Sequence, residues 1–505
     1  LNSNSGPNWY ITESGNDTTG TGTITNPFRS IQAGINFSNS GNTVVVADGQ
    51  YIENIKWRNV NGVKLIGSSI ENCIIDGGAV ANVISFNYGL EYGVIDTSTK
   101  IANFTIQNGQ SIDGQYGNGA GINIDHSSSP ILENLLIKNN TGGHGGGMFI
   151  VNGSSPLIRN VIIKDNVGSE GGGIAFSAGG SSKLENVLIH NNTSGSFGGG
   201  IYCGSQHIAM TNVTIINNTS NADGGGIYFA YQNFNDTDER PIITNSIFRQ
   251  NHPQEFYSYD PDGNIEGSFE ISYSNIENGQ DSIIVEGSSQ AVWGSGNIDL
   301  DPMFLDTTNH DYSLQADSPL IDAGHPDSTD ADGTIADIGA YYYDQSGQPS
   351  KVLGLITTPT ADNIALDWAV NSGASSYNVY RDTDPATDFY LATPVTTVNT
   401  NSYIDSSADN RYTHHYRVSA VDGDGNEGLL AAQKHGRMST NSTSLYLEEA
   451  YISTLVDSNL NTTSEYTLEA FISIPSPPSE NVNFLFVGGS ALELVPLVNG
   501  QCRID

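Results

Sequence analysis

The chain has 505 residues, of which 37% are hydrophobic, and it carries 18 Lys and Arg residues against 55 Asp and Glu residues. This length allows several domains with substantial cores. The net charge of −37 repels nucleic acid and anionic membranes, and it repels polyanionic sugars unless calcium bridges them. We therefore expect no nucleic-acid partner. We also expect no insertion into a membrane, because no stretch approaches the roughly 20 apolar residues that a membrane helix needs.

From residue 119 onward the sequence repeats with a period of about 26 residues. Glycine-rich triplets recur with their first residues 26, 26, 27 and 26 apart, at Gly119, Gly145, Gly171, Gly198 and Gly224. Two asparagine columns keep a spacing of 26, namely Asn134, Asn160, Asn186 and Asn212, and Asn140, Asn166, Asn192 and Asn218. A fixed period of this length indicates a solenoid of stacked units.

Each repeat contains short β-prone runs, such as residues 135–137 and 161–163, that are too short for helices. Two or three such strands make one coil of a β-helix, whose successive coils pair in parallel about 4.8 Å apart. We predict that the asparagines occupy bends and hydrogen-bond from coil to coil, and that the glycines form corners too tight for a side chain. The predicted inward stacks are Ile137, Ile163, Ile189 and Ile215, and Leu132, Ile158, Leu184 and Met210.

These repeats resemble the pectate-lyase-like superfamily of right-handed parallel β-helices, in particular its secreted bacterial members. Residues 9–11, 27–34 and 43–51 are similar to that family's N-terminal cap, which implies a short amphipathic helix over the open end of the first coil. Residues 301–304, 312–314, 318–324 and 336–341 are similar to its closing segment. The resemblance implies the fold but not an activity, because the superfamily includes lyases, hydrolases, adhesins and inert shafts.

We predict an all-β protein of three domains. The capped β-helix occupies residues 1–345 and ends at a short linker rich in Gly, Pro and Ser. Residues 346–436 alternate apolar and polar side chains and resemble a fibronectin type III β-sandwich, with Trp368 in its core. Residues 437–505 resemble the opening of a laminin-G or concanavalin-like jelly roll, and less than half of such a domain is present, so we expect the protein to continue past Asp505. A chain without Met at its start suits a mature exported protein.

Two outward columns carry charged side chains, Glu133, Arg159 and Glu185 in one and Lys138, Lys164 and His190 in the other. The first is typical of carboxylates flanking an arginine in a lyase or glycosidase, or of a cross-strand charge ladder. The second could supply a lysine base for β-elimination, or it could serve only solubility. No known lyase or polygalacturonase signature accompanies either column, so the sequence favours a structural role for both.

A third outward column follows the glycine triplets and contains the candidate binding residues Phe149, Tyr202 and Tyr228. Exposed aromatic rings on a flat sheet form a platform for sugar rings or for a partner protein. The alternative is that a neighbouring loop, such as residues 232–238, covers them. In the same way, the outward apolar residues Leu136, Ile162 and Leu188 indicate that something packs on their face.

Calcium is the cofactor that the sequence suggests. The candidate ligands are Asp327, Asp330, Asp332 and Asp337, in a segment whose Gly-containing loop places carboxylates at alternate positions. Hard cations prefer such oxygen ligands, although Asp-Gly pairs also form ordinary turns and the spacing is not that of an EF-hand.

These features favour a non-catalytic secreted or cell-surface protein that serves adhesion, glycan binding or extracellular assembly. Its expected partner is an extracellular polysaccharide or another surface protein. One alternative is a polysaccharide lyase or glycoside hydrolase with accessory modules, although the scarcity of basic residues weakens this reading for polyuronates. Another is the subunit of a homopolymeric filament or sheath, in which the outward apolar columns would be the contacts between copies.

Overall fold

The computed structural model describes residues 8–86, 95–111, 119–204, 206–230, 240–260, 269–287 and 289–438, together with four short strands between residues 472 and 504. The chain divides into two compact units, Leu1–Met438 and Ser439–Asp505. Strands dominate the described residues of both units. No helix in the described ranges has the length and apolar character needed to cross a membrane.

The first coils contain the helix α1 (Ile31–Phe37) and nine strands. The strands are β1 (Asn8–Ile11), β2 (Thr43–Val46), β3 (Gly49–Ile52), β4 (Ile55–Lys56), β5 (Lys64–Gly67), β6 (Cys73–Asp76), β7 (Ile84–Phe86), β8 (Lys100–Gln107) and β9 (Ile122–Ile124). Ser30 caps α1 by accepting a hydrogen bond from Ala33 N. The helix buries Ile31, Gly34 and Ile35 against the first coil, as the predicted cap requires.

Eighteen further strands continue the coils. They are β10 (Ile131–Lys138), β11 (Met148–Ile150), β12 (Leu157–Lys164), β13 (Val167–Glu170), β14 (Ile174–Ser177), β15 (Ser181–His190), β16 (Thr193–Phe197), β17 (Ile201–Gly204), β18 (His207–Ile216), β19 (Thr219–Ser220), β20 (Ile227–Ala230), β21 (Ile242–Thr244), β22 (Ile247–Arg249), β23 (Phe256–Asp260), β24 (Phe269–Ser272), β25 (Asn275–Ile276), β26 (Ile283–Gly287) and β27 (Ala291–Trp293).

These strands form the walls of a right-handed parallel β-helix. A long sheet of 15 strands runs from β1 through β8, β12 and β18 to β27, and a second sheet of nine strands runs from β4 to β26. The short strands β13, β16 and β19 form a third sheet. Neighbouring strands in all three pair in parallel, which confirms the predicted fold class.

The predicted inward stacks are confirmed. Ile137 pairs with Ile163, Ile163 with Ile189, and Ile189 with Ile215, and all four side chains are fully buried. The stack that begins at Leu132 keeps the same register and is equally buried. Residues 26 apart therefore stand on adjacent rungs, and each coil buries its apolar face on its neighbours.

The two asparagine columns have different roles. The column of Asn134, Asn160, Asn186 and Asn212 has φ between 50° and 55°, the left-handed region that Asn tolerates. The column of Asn140, Asn166, Asn192 and Asn218 is fully buried, and its amides form a ladder in which each Nδ2 donates to the next Oδ1 at 3.0 Å. The ladder continues from Asn218 to Asn251.

The glycine corners are as tight as the sequence predicts. Gly145, Gly171, Gly198 and Gly224 have φ between 64° and 67°. The next glycine in each triplet lies against the following coil, so that a Cβ on Gly172 would stand 2.5 Å from Gly199 O. A side chain there would overlap backbone.

The closing segment contains β28 (Phe304–Asp306) and β29 (Asp311–Leu314), which form an antiparallel pair. It packs along the outer face of the long sheet, where Tyr312 and Ala340 cover Leu188 and Ile216. Ile162 also contacts this cluster. The prediction that something covers the outward apolar column is therefore confirmed for Ile162 and Leu188.

Two antiparallel sheets follow and share one core. One contains β30 (Ile356–Pro359), β31 (Ile364–Asp367) and β34 (Ser402–Asp405), and the other contains β32 (Ser376–Asp382), β33 (Thr396–Val398), β35 (His414–Val421) and β36 (Lys434–Gly436). Leu366, Trp368, Val379 and Tyr416 are buried between them.

The second unit contains β37 (Ile472–Ser473), β38 (Val482–Leu485), β39 (Ala491–Pro496) and β40 (Gln501–Ile504), which form an antiparallel sheet. The rest of residues 439–505, where the jelly-roll resemblance begins, lies outside the described residues.

Candidate functional site

The aromatic column lies on the outer face of the nine-stranded sheet. The parallel register of β11, β14, β17, β20 and β23 aligns Phe149, Ala175, Tyr202, Tyr228 and Tyr257. The ring of Tyr228 stacks 5.7 Å from that of Tyr202 and 5.4 Å from that of Tyr257, with the planes within 6° of parallel. The repeat does not predict Tyr257, because this residue follows Tyr228 by 29 residues rather than by 26.

These rings are less exposed than a flat platform would be. Phe149 is 8% exposed and stacks 5.5 Å from His144, while Tyr228 is 6% exposed and contacts Phe197 at 4.5 Å. Neighbouring rings therefore shield both residues, which favours the alternative of covered rings over open ring faces. Tyr202 is half-buried. The loop at residues 232–238 lies outside the described residues, and binding by this column stays a prediction.

Hydrogen-bonding groups flank the aromatic column. His144 Nδ1 lies 2.9 Å from Glu170 Oε2, and this contact raises the pKa of His144. Burial raises the pKa of Tyr228 to about 12. The pKa of Tyr257 is also raised, by burial and by its hydrogen bond with Glu286. The phenols therefore stay protonated at neutral pH and act as hydrogen-bond donors rather than as bases.

The first charged column contains a charge ladder. Glu133 contacts Lys100 on one side and Arg159 on the other, where Arg159 Nη2 lies 2.8 Å from Glu133 Oε1. The carboxylate is only 14% exposed and is neutralised by both cations. These contacts favour the structural interpretation of this column over a catalytic carboxylate pair.

The second charged column is covered at its upper end. His190 is 2% exposed and packs 5.1 Å from the His310 ring and 5.4 Å from the Tyr312 ring. Burial lowers the pKa of His190 to about 4, so the imidazole is neutral at neutral pH. Lys164 lies 3.4 Å from Asp165. These contacts do not provide an arginine or cation beside a lysine base, which β-elimination needs.

The predicted calcium ligands separate into two groups. Asp327 is exposed, whereas Asp330, Asp332 and Asp337 lie together, with Asp322 beside them. Burial raises the pKa of Asp330 to about 6 and that of Asp337 to about 7. No group of three or more His, Cys, Asp or Glu side chains in the described ranges is arranged to hold a metal ion.

Backbone amides and the side-chain amide of Gln345 donate to the oxygens of this aspartate cluster. Asp330 Oδ2 accepts from Asp337 N at 2.8 Å, and Asp337 Oδ2 accepts from Tyr343 N at 2.6 Å. Asp332 Oδ2 accepts from Gln345 N at 2.7 Å, and both carboxylate oxygens of Asp322 accept from Gln345 Nε2 at 3.1 Å. The cluster therefore fastens the closing segment to the linker, and calcium binding stays a prediction.

The β-helix and the two-sheet module meet in contacts that no sequence pattern predicts. Arg417 Nη1 of β35 lies 2.8 Å from Asp317 Oδ1 in the closing segment. Leu429 packs into the apolar cluster of Leu320 and Ile338. Lys351 Nζ, which is buried, donates to Ser318 O at 2.9 Å. The linker is therefore packed rather than free.

A family model described as a right handed beta helix region matches residues 88–266. Among solved structures, a complex of XylC with xylose aligns with 85% of this chain and 99% of its own, with a TM-score of 0.40 and 9% sequence identity. A Fn3-like protein from Clostridium thermocellum aligns with 20% of this chain and 97% of its own, with a TM-score of 0.16 and 26% identity. No curated protein matches the chain. The family match supports a fold that surface proteins and polysaccharide-active enzymes share.

Proposed function

We propose that the chain is a non-catalytic secreted or cell-surface protein whose β-helix is a rigid scaffold for adhesion, glycan binding or extracellular assembly. The proposal rests on one observation, namely that its titratable side chains are already engaged in contacts within the protein. Glu133 lies between two cations, His190 lies beneath Tyr312, and Asp337 accepts backbone hydrogen bonds. Groups engaged in this way support the framework rather than a reaction.

The proposed domain order is a β-helix at residues 1–345, a fibronectin type III-like module at 346–436 and a laminin-G-like module from 437. The sheets of three and four strands in the middle module, with Trp368 in their shared core, support its assignment. Its contacts with the closing segment favour a module that extends the rod in a fixed orientation.

The proposed ligand is a neutral glycan. A net charge of −37 repels polyuronates, whereas uncharged sugars stack on aromatic rings without that penalty. The half-buried Tyr202 ring, beside the phenol of Tyr228, is the candidate contact. Glu170 and Glu286 flank the column and would accept hydrogen bonds from sugar hydroxyls.

The test is incubation of the full chain with neutral and acidic polysaccharides, with and without calcium, followed by assays of retention and of new chain ends. We expect retention of a neutral glycan without new reducing or unsaturated ends, and a loss of at least about tenfold in affinity for Tyr202→Ala. Tyr412→Ala, at a 50% exposed tyrosine of the two-sheet module, is the matched control. Release of unsaturated oligosaccharides would establish the alternative of a polysaccharide lyase.

A further inference from the structure

The N-terminal end of the nine-stranded sheet is closed by a side chain. Its first strand is β4, and α1 lies beside it. The side-chain amide of Gln32, on α1, hydrogen-bonds to the backbone of Lys56 at the outer edge of β4, in the position that a neighbouring strand would take. Lys56 N donates to Gln32 Oε1 at 2.8 Å, and Gln32 Nε2 donates to Lys56 O at 3.1 Å. This end therefore offers no edge for pairing.

The other end of the same sheet is open. Strand β26 pairs with β23 on one side, and no strand pairs with its other side within the part of the chain that the structure describes. Ile284 is 36% exposed and Val285 is 44% exposed. Val285 points to the same side as Ile283, which packs against the core, so the apolar interior is uncovered at this edge.

The closing segment lies elsewhere on the β-helix. Its buried residues Leu320, Ile321 and Ile338 pack with Ile247, and Tyr312 packs over Leu188. Both contacts are on the outer face of the long sheet. The segment thus covers a side of the rod, while the edge of β26 stays accessible in the described residues.

The charge around this edge indicates the partner. From Gln250 to Leu300, the stretch that contains β26, the sequence has nine Asp and Glu residues and neither Lys nor Arg. Glu286 is an exposed residue of β26 itself, and Asp281 lies two residues before the start of that strand. A second copy pairing through the same edge would bring these carboxylates against their own counterparts, which is unfavourable. Lys or Arg side chains would be attracted to them.

We propose that β26 is a docking edge for an extended segment of a partner protein that alternates aliphatic residues with Lys or Arg. Such a segment adds one more strand to the sheet through backbone hydrogen bonds. Its aliphatic residues cover Ile283 and Val285, and its basic residues lie on the outer face beside Glu286, because successive side chains of a strand alternate between faces. This edge adjoins the aromatic column at Tyr257, which hydrogen-bonds to Glu286, but the addition of a strand does not require a bound glycan.

The test uses the full chain and a short peptide that alternates Val and Lys. We expect the peptide to slow amide hydrogen exchange at residues 283–287, and we expect Val285→Lys to weaken its binding at least about tenfold in fluorescence anisotropy. Ile284→Lys, on the outer face, provides a second variant at an exposed position. Val167→Lys is the matched control, because Val167 also lies in a strand and is also 44% exposed.

Three results would overturn the proposal. One is equal binding of a peptide with the same composition in which the Val and Lys residues form separate blocks, since charge alone would then explain the attraction. Another is protection, in the free chain at all concentrations, of those β26 amides that do not donate to β23, which would show that the chain covers its own edge. The third is protection that grows with protein concentration without peptide, which would identify a second copy as the occupant.

Discussion

The buried asparagine ladder should be a major source of stability in the β-helix. Asn192 Oδ1 accepts from Asn166 N at 3.1 Å and from Asn166 Nδ2 at 3.0 Å. Its Nδ2 donates to Asn218 Oδ1 at 3.0 Å, to Ile163 O at 2.9 Å and to His190 O at 3.1 Å. Substituting Asn192 by Ala removes all five contacts from a site that solvent does not reach.

The magnitude follows from the groups left behind. Asn192→Ala deprives two buried donors of Asn166 of their acceptor, and each buried unsatisfied donor costs about 1–3 kcal/mol. We therefore expect the free energy of unfolding of the β-helix to fall by about 4 kcal/mol. Asn186→Gly is the control from the same coil, because it removes an exposed amide with two 3.2 Å contacts, to Asn160 and Asn212, while glycine tolerates its φ of 54°.

Urea denaturation followed by far-UV circular dichroism measures both changes, and hydrogen exchange of the coil amides locates them. The control should cost less than about 1 kcal/mol, since both hydrogen bonds of its amide are exposed to water. If Asn192→Ala costs no more than Asn186→Gly, the ladder does not stabilise the coils and the reasoning is wrong.

Three further predictions concern buried single residues. Burial lowers the pKa of His190 from 6.5 to about 4, so the free energy of unfolding should fall by up to about 3 kcal/mol as the pH drops through this range. In urea titrations, His190→Gln should flatten this dependence on pH. Burial raises the pKa of Glu255 from 4.5 to about 8, so the free energy of unfolding should fall by up to about 5 kcal/mol as the pH rises through this range. Calorimetry should therefore show that Glu255→Gln is more stable than the parent protein above pH 8. Gly172→Ala should lower the melting temperature by at least about 5 °C, whereas Gly423→Ala, with no atom within 4 Å of its added Cβ, should leave it nearly unchanged.

The architecture of the β-helix could be predicted because successive coils place the same kinds of residue at equivalent positions. Ile137 and its counterparts identify the inward face, and the asparagine and glycine columns give the register independently of it. A parallel stack places equivalent residues of successive coils directly over one another. The contacts between coils can therefore be predicted from the constant spacing alone, without knowledge of any loop.

The candidate sites were harder to predict because they depend on what covers each column. Phe149 and Tyr228 face outward as expected, but their exposure is set by His144, Phe197 and other neighbouring rings. Periodicity identifies the direction of a side chain, not the segment that packs over it.

The junction between the β-helix and the next module has no periodic signal at all. Asp317 and Arg417 are separated by 100 residues and belong to elements without repeats. Their ion pair depends on how the closing segment folds back along the rod, which no local pattern in the sequence encodes. The hydrogen bonds of the aspartate cluster also have no pattern in the sequence, because its carboxylates accept them from backbone amides.

The ladder of identical amides gives this scaffold an adjustable length. A duplicated coil of 26 residues inserted between Asn140 and Asn192 would meet the same asparagine, isoleucine and glycine partners above and below it, and it would lengthen the rod by about 4.8 Å. Helix α1 and strand β26 at the two ends would keep their own neighbours. Gene duplication within this region could therefore change the distance between the ends without altering either one.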